Sequence, residues 1–319
     1  MSDLRPNSDQ FPQSPCPDDE IDLKELFMVL WAGKWLISVM TGLVAAISVV
    51  AALSLPNIYT ASALLAPAES AGGGFSGLMK QYGGLASLAG VSLPGGEEGA
   101  RAQLGMQLMK SRAFVSDFVE RHDILPELMA VKSWDSGSGE LLFDPKSYDA
   151  ATKKWVREVD APKLPAPSAQ EAHKVFSTIL GVSQDKQTGY VTVSVEHYSP
   201  IVAAQWVNWL VEDVNTAVKA QDVAEAEKSI EYLKQQVTTT SLADLQAMFF
   251  ELIQSQTETV MLAEVRPEYV FKTIDPAIVP EEKSKPSRAL ICVLGVLLGG
   301  MLGVVVVLIR HYARSESEA

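Results

Sequence analysis

The sequence has 319 residues, with 26 Lys and Arg against 39 Asp and Glu, a formal net charge of −13, and 47% hydrophobic positions. That acidic balance argues against a nucleic-acid binder, and two cysteines, Cys16 and Cys292, are too few for a disulfide scaffold or a multi-cysteine zinc site. A mean hydropathy of +0.11 with only 8% aromatic residues reflects apolar residues gathered near the two ends of the chain.

The first 33 residues carry four prolines and the acidic run Asp18, Asp19 and Glu20. Ile21, Leu23, Leu26, Phe27 and Leu30 then recur at helical spacing, so a disordered tail should lead into a short amphipathic helix. Residues 35–55 form 21 positions without a charge, which as a helix would cover about 31 Å, the depth of a bilayer's hydrocarbon. A cleaved signal peptide is the alternative, with Ala61, Ser62 and Ala63 as a cleavage site, but the apolar run is long and its flank is acidic. Residues 289–309 form a second uncharged run of 21. Two spans place 1–33 and 310–319 on one side and 56–288 on the other. Lys24, Lys34, Arg310 and Arg314 against Lys283, Lys285 and Arg288 leave the side nearly undecided by charge.

After the first span, 59–65 reads as a strand closed by Pro67. Between Gly72 and Gly99, ten of 28 residues are glycine, which predicts a mobile loop. Leu104, Leu108, Phe114, Val115, Phe118 and Val119 predict two short helices interrupted around Ser111, and 133–139 and 161–168 read as loops. Residues 181–196, with the polar turn of Asp185 to Gly189 and a period-two run after it, read as a hairpin.

The 66 residues 201–266 contain neither proline nor glycine, enough for about 99 Å of helix. Val223, Ala226, Ile230, Leu233 and Val237 form one apolar stripe; Leu242, Leu245, Phe249 and Leu252 form a second, out of phase with the first. The offset falls at Thr238, Thr239 and Thr240, where Ser241 and Asp244 have capping-box spacing, so a bend or break is predicted there. The stripes suit either packing against the chain's own helices or contacts between subunits. Residues 269–274 read as a strand, and Pro276, Pro280 and Pro286 stiffen the approach to the second span.

No phosphate-binding G-x-x-x-x-G-K-[ST] and no G-x-S-x-G nucleophile turn occurs, and His122, His173, His197 and His311 form no pair at helical ligand spacing. Neither catalysis nor a cofactor is expected. Gly295, Gly299 and Gly303 repeat every fourth residue in the second span, which suggests a close-packing face, with Gly42 and Ala46 as its partner. The alternative is that glycine is simply common in membrane helices.

The chain resembles the Wzz-like chain length determinant family, the polysaccharide co-polymerases. The resemblance is carried by 20–23, Leu30, Trp31 and Lys34, by Tyr59, Thr60 and Ala61, and by 199–200, 203–208, 229–233 and 261–263. Residues 269–272 and 274–277, with Pro280 and Pro286, complete it, while 67–180 matches weakly. It implies an α+β membrane protein, with two transmembrane helices (34–55 and 289–309) around a periplasmic α/β base with a long helical rod (about 201–266). It further implies a bacterial inner-membrane location, cytoplasmic termini, and a ring-like, octamer-like homo-oligomer. Its partners would be a Wzy-type polymerase, undecaprenyl-linked polysaccharide and membrane lipid, but no nucleic acid. The function implied is non-enzymatic control of O-antigen modal length. An export branch working with a tyrosine kinase is the alternative; the short tail and absent phosphate-binding loop suggest that such a kinase would be a separate chain. A sensor or a membrane-anchored glycan hydrolase would require a signalling domain or a carboxylate cleft. Ring contacts are expected on the base and on the Ala203 to Val237 face, with Ile230, Leu233, Val237, Leu245 and Phe249 as oligomer or rod packing.

Overall fold

The computed structural model describes residues 23–68, 96–240 and 242–318, which fall into two compact units, 1–55 with 287–319, and 56–286. The expected tail and most of the glycine-rich segment lie outside the described residues.

In the first unit, α1 (Leu23–Ala32) runs into α2 (Lys34–Ser54), and α9 (Arg288–Glu318) packs along α2. Gly33 separates α1 from α2, yet its N–H donates to the Val29 carbonyl and its carbonyl accepts from Ile37, both at 3.0 Å, so helical bonding continues through it. Leu55 ends α2 in an extended conformation at φ −74° and ψ 134°, as the following Pro56 requires. Val39, Leu43, Ile47, Val50 and Leu53 on α2, and Leu294, Leu297, Met301 and Ile309 on α9, are all exposed. Two helices with apolar outer faces and uncharged cores are long enough to cross a bilayer.

The second unit is built on an antiparallel sheet of order β6-β7-β1-β8: β1 (Tyr59–Pro67), β6 (Leu180–Gln184), β7 (Val191–His197) and β8 (Phe271–Asp275). Alternation sends Ala61, Ala63 and Leu65 of β1 and Val191, Val193 and Val195 of β7 to one buried face. The first half of α7 (Pro200–Thr239) covers that face with Trp206, Val207, Leu210, Val214 and Val218, all fully buried. Three further helices close the core: α3 (Gly96–Met109), α4 (Arg112–Arg121) and α6 (Ala169–Ile179), with the short α5 (Leu125–Met129) between. Gly105 of α3 sits against β8 so closely that a Cβ would stand 2.8 Å from the Phe271 ring.

Several expectations are corrected. Gly96 to Gly99 open α3 instead of ending a loop. Residues 133–134 belong to a hairpin of β2 (Val131–Trp134) and β3 (Leu141–Phe143), held by edge packing of Trp134 on Tyr59 at 5.7 Å. A further hairpin pairs β4 (Tyr148–Asp149) with β5 (Lys154–Trp155). The turns after Asp135, Asp149 and Asp185 share one design. An Asp carboxylate accepts from residues two or three ahead, and a left-handed residue follows four ahead: Gly139 at φ 74°, Lys153 at φ 53° and Gly189 at φ 74°. The Gly137 N–H at Asp135, the Thr152 hydroxyl at Asp149 and the Thr188 N–H at Asp185 hold all three carboxyls below their ordinary values.

The two short helices around Ser111 are present, and the Ser111 hydroxyl accepts from the Phe114 N–H at 3.2 Å. The hairpin at 180–197 is present as read. The long helical stretch does break, but into a reversal: α7 ends at Thr239 and α8 (Ala243–Val265) folds back along it. Leu242 is the N-cap of α8, with no side-chain cap bond; the Ser241 of the predicted capping box lies outside the described residues. Gln246 ties the turn instead, donating to the Val237 and Thr240 carbonyls at 3.3 and 2.7 Å.

Candidate functional site

Three places bring the sequence candidates together. The first is the contact between α2 and α9. A Cβ on Gly295 would stand 2.3 Å from the Ser48 Oγ; on Gly299, 3.0 Å from the Thr41 Cα; on Gly303, 3.0 Å from the Ile37 Cα. Ile37, Thr41, Val44 and Ser48 therefore form the opposing face, stepping 4, 3 and 4 along α2. Gly42 and Ala46 do not: nothing approaches a Gly42 Cβ within 4 Å, and Ala46 is exposed. The physical reason is phase, because Gly42 lies one residue past Thr41 and thus about 100° around the helix. Thr41 and Ser48 return their hydroxyls to the Ile37 and Ala45 carbonyls at 2.8 Å, so the face carries no unpaired hydroxyl.

The second place is the helical hairpin of α7 and α8. Ile230, Leu233, Val237 and Phe249 are half-buried, and Leu245 is exposed. Leu233 and Leu252 line one groove between the helices. Tyr232, Met248, Phe250 and Met261 turn outward with at least 48% of their surface exposed. The chain thus covers part of each stripe itself and leaves these apolar side chains exposed.

The third place is where β8 and the strap after it cross α7, and sequence reasoning missed what holds it. Asn215, only 4% exposed, accepts from the N–H groups of Val270 and Phe271 at 2.7 and 2.9 Å and donates to the Phe271 carbonyl at 3.0 Å. Asn208, two turns earlier, repeats this on Ala277, accepting at 3.1 Å and donating at 3.0 Å. β8 is an edge strand, and the two amides satisfy backbone groups that would otherwise stay open. The signal was two amides seven residues apart on the same apolar face as Val207, Val211 and Val214. Pro276 lies beside them, lining a cavity of about 350 Å³ with Asn208, Asn215 and Lys219. Pro280 and Pro286 lie further along the strap, where Ile58 bridges Lys285, so the three prolines do not converge.

The four histidines are dispersed. His197 is 5% exposed; its Nδ1 accepts from the Ser199 N–H at 3.0 Å, which leaves Nε2 to donate to the Glu127 carbonyl at 3.2 Å. Burial pushes its pKa below the ordinary 6.5. His122 Nε2 lies 2.9 Å from Asp213, which also accepts from Arg121, and His173 bonds the Lys110 carbonyl. Among the described residues no cluster of His, Cys, Asp or Glu is arranged to hold a metal.

A neutral, buried His197 has a pH consequence. The unfolded chain takes up the proton below about 6.5 and the folded chain resists it, so stability falls as pH drops through that value. Burial raises Glu127, which acts in the opposite sense, favouring the fold toward lower pH. The Arg157 guanidinium holds Glu171 down to about 2, so its contribution is present above 4.5 and lost only as pH falls toward 2. Between pH 7.5 and 5.5 the midpoint of thermal unfolding should therefore drop less in His197→Gln than in the unsubstituted chain. Equal slopes would remove His197 from the account.

Residues 19–122 match the family model of the chain length determinant protein, Wzz. Residues 245–312 match the "G-rich domain on putative tyrosine kinase", GNVR. Comparison with curated proteins gives no match. Among solved structures the chain is similar to a full-length bacterial polysaccharide co-polymerase, at 14% identity over 92% of this chain and 99% of that one, with a TM-score of 0.37. It is also similar to a fragment of WzzB, a polysaccharide co-polymerase from Salmonella Typhimurium, at 10% identity over 72% of this chain and 100% of that one, with a TM-score of 0.28. The chain length determinant model lies across the first apolar helix and β1, so over that part the chain is similar to the Wzz family.

Proposed function

We propose that the protein is a non-enzymatic regulator of polysaccharide chain length, setting the modal length of O-antigen made by a Wzy-type polymerase on an undecaprenyl carrier. The observation that carries this reading is the chain length determinant match on a chain with two apolar helices bracketing an α/β unit. In this reading both helices cross the bacterial inner membrane, 1–33 and 310–319 are cytoplasmic, and 56–288 is periplasmic. The protein works as a ring-like homo-oligomer. The exposed Phe250 and Met261, eleven residues apart and so on one side of α8, support self-association, since a monomer in water gains nothing by exposing them. Ile230, Leu233, Val237, Leu245 and Phe249 hold the hairpin or its neighbours together. Gly295, Gly299 and Gly303 set the approach of the spans, and Pro276, Pro280 and Pro286 stiffen the strap leading into the second.

A second reading is favoured by the GNVR match: a co-polymerase for capsule or exopolysaccharide export that works with a separate kinase chain. A gel of surface polysaccharide from cells with and without the protein separates the two. Length control predicts that a clustered mode spreads into a random ladder while total polymer persists. Loss of surface polymer would replace it with the export reading.

A further inference from the structure

Where α2 meets α9 near the chain's termini, the helices touch at Gly33, whose Cβ would stand 2.6 Å from both Val307 methyls. Beside this contact lies a groove of about 640 Å³, lined by Met28, Ala32, Trp35 and Leu36 from α1 and α2 and by Val307 and Arg310 from α9. Lys34 and Arg310 are the first charges beyond the two uncharged runs at this end, so the groove lies where hydrocarbon gives way to headgroups. Trp31 and Trp35, 63% and 77% exposed, lie one helical turn apart at the same level, as interfacial aromatics do. Lys34 Nζ is 4.8 Å from the Trp31 ring centre, and no ion pair to Arg310 forms among the described residues.

We propose that this groove holds an anionic phospholipid of the leaflet on the side of the termini, its phosphate on the Arg310 guanidinium and its chains on the apolar wall. The proposal rests on reading the two helices as bilayer spans. Three features select the occupant. The lining is mostly apolar, which suits acyl chains and not a free anion. The exposed row of Val39 and Leu43 continues along α2 into the membrane, giving the chains a surface to follow. The one permanently charged side chain in the lining, Arg310, is cationic and has His311 beside it, so a headgroup carrying its own ammonium gains less than one with net negative charge.

The test is native mass spectrometry of the full chain in a neutral detergent, with phosphatidylglycerol, phosphatidylcholine or undecaprenyl phosphate added at equal concentration. Phosphatidylglycerol should be retained about fivefold over phosphatidylcholine, the gain one cation confers near an anionic headgroup. Arg310→Gln should erase that preference and Arg310→Lys should keep most of it. Ala32→Trp, which fills the groove without touching charge, should lower phosphatidylglycerol retention as well. Equal retention of the two phospholipids, or a preference that survives Arg310→Gln, would overturn the proposal. So would an Arg310-dependent preference for undecaprenyl phosphate over phosphatidylglycerol, which would make the carrier the occupant. A chain that stays soluble without detergent and retains no lipid of any kind would instead overturn the bilayer reading beneath it.

Discussion

Asn215→Leu is expected to destabilise the protein by about 3 kcal/mol or more, because three buried backbone groups lose their partner at a cost of roughly 1–3 kcal/mol each. Those groups are the N–H of Val270 and the N–H and carbonyl of Phe271. Leucine keeps the branching of asparagine at Cγ and is the larger side chain, so the substitution leaves no cavity beside Val211, Val214 and Val218. No water can replace the amide while Phe271 is fully buried and Val270 nearly so. In a unit of this size the thermal midpoint should fall by about 6–12 °C. Asn208→Leu should cost less, near 1 kcal/mol, since its site is only part-buried and water reaches the freed Ala277 groups. Thermal unfolding of the full chain in one detergent tests both. If Asn215→Leu shifts the midpoint no more than Asn208→Leu does, the clamp is not what fixes β8 on α7. Because β8 leads into the strap and the second apolar helix, the proposed role in length control predicts that Asn215→Leu also broadens the polysaccharide length distribution before it abolishes expression.

Leucine at Gly295, Gly299 and Gly303 together should force α2 and α9 apart. The atoms a side chain would strike at Gly299 and Gly303 include the Thr41 and Ile37 Cα positions, which are backbone and cannot rotate away. Overpacking of this kind costs about 1–3 kcal/mol per site, and bilayer helices have no hydrophobic drive to recover it, since lipid tails are as apolar as leucine. Gly300 and Gly42 supply matched controls in the same helices. A Cβ on Gly300 meets only the Thr41 Oγ1 at 3.8 Å, and one on Gly42 meets nothing within 4 Å. On the proposed function, the triple variant should lose oligomer on a native gel and its clustered polysaccharide mode, while Gly300→Leu and Gly42→Leu keep both. A triple variant with unchanged oligomer and unchanged mode would show that close approach of the two spans is dispensable.

Much of the fold was legible because it is written locally. The two long apolar helices follow from two uncharged runs of 21 residues, each of bilayer depth. The 180–197 hairpin follows from period-two alternation around a polar turn, and the helix break follows from three consecutive threonines. The Gly-x-x-x-Gly spacing puts Gly295, Gly299 and Gly303 on one face of α9, because a four-residue step nearly closes one helical turn.

What pattern could not give was direction and partner. A run of threonines marks where a helix weakens, but whether α7 bends or reverses depends on two apolar stripes closing on each other across the turn. The face of α2 that meets α9 is half-polar, with Thr41 and Ser48, so a search for small apolar residues chose Gly42 and Ala46 and missed it. Asn208 and Asn215 look like ordinary polar interruptions of an apolar helix until Phe271 and Ala277 arrive from 56 and 69 residues away. β1 lies between β7 and β8, and that order joins the start of the unit to its end. Sequence by itself determined what each segment could become, because propensity and periodicity act over a few residues. The tertiary structure decided which segments meet, because buried hydrogen bonds and close backbone contacts exist only between groups that folding brings within a few ångströms.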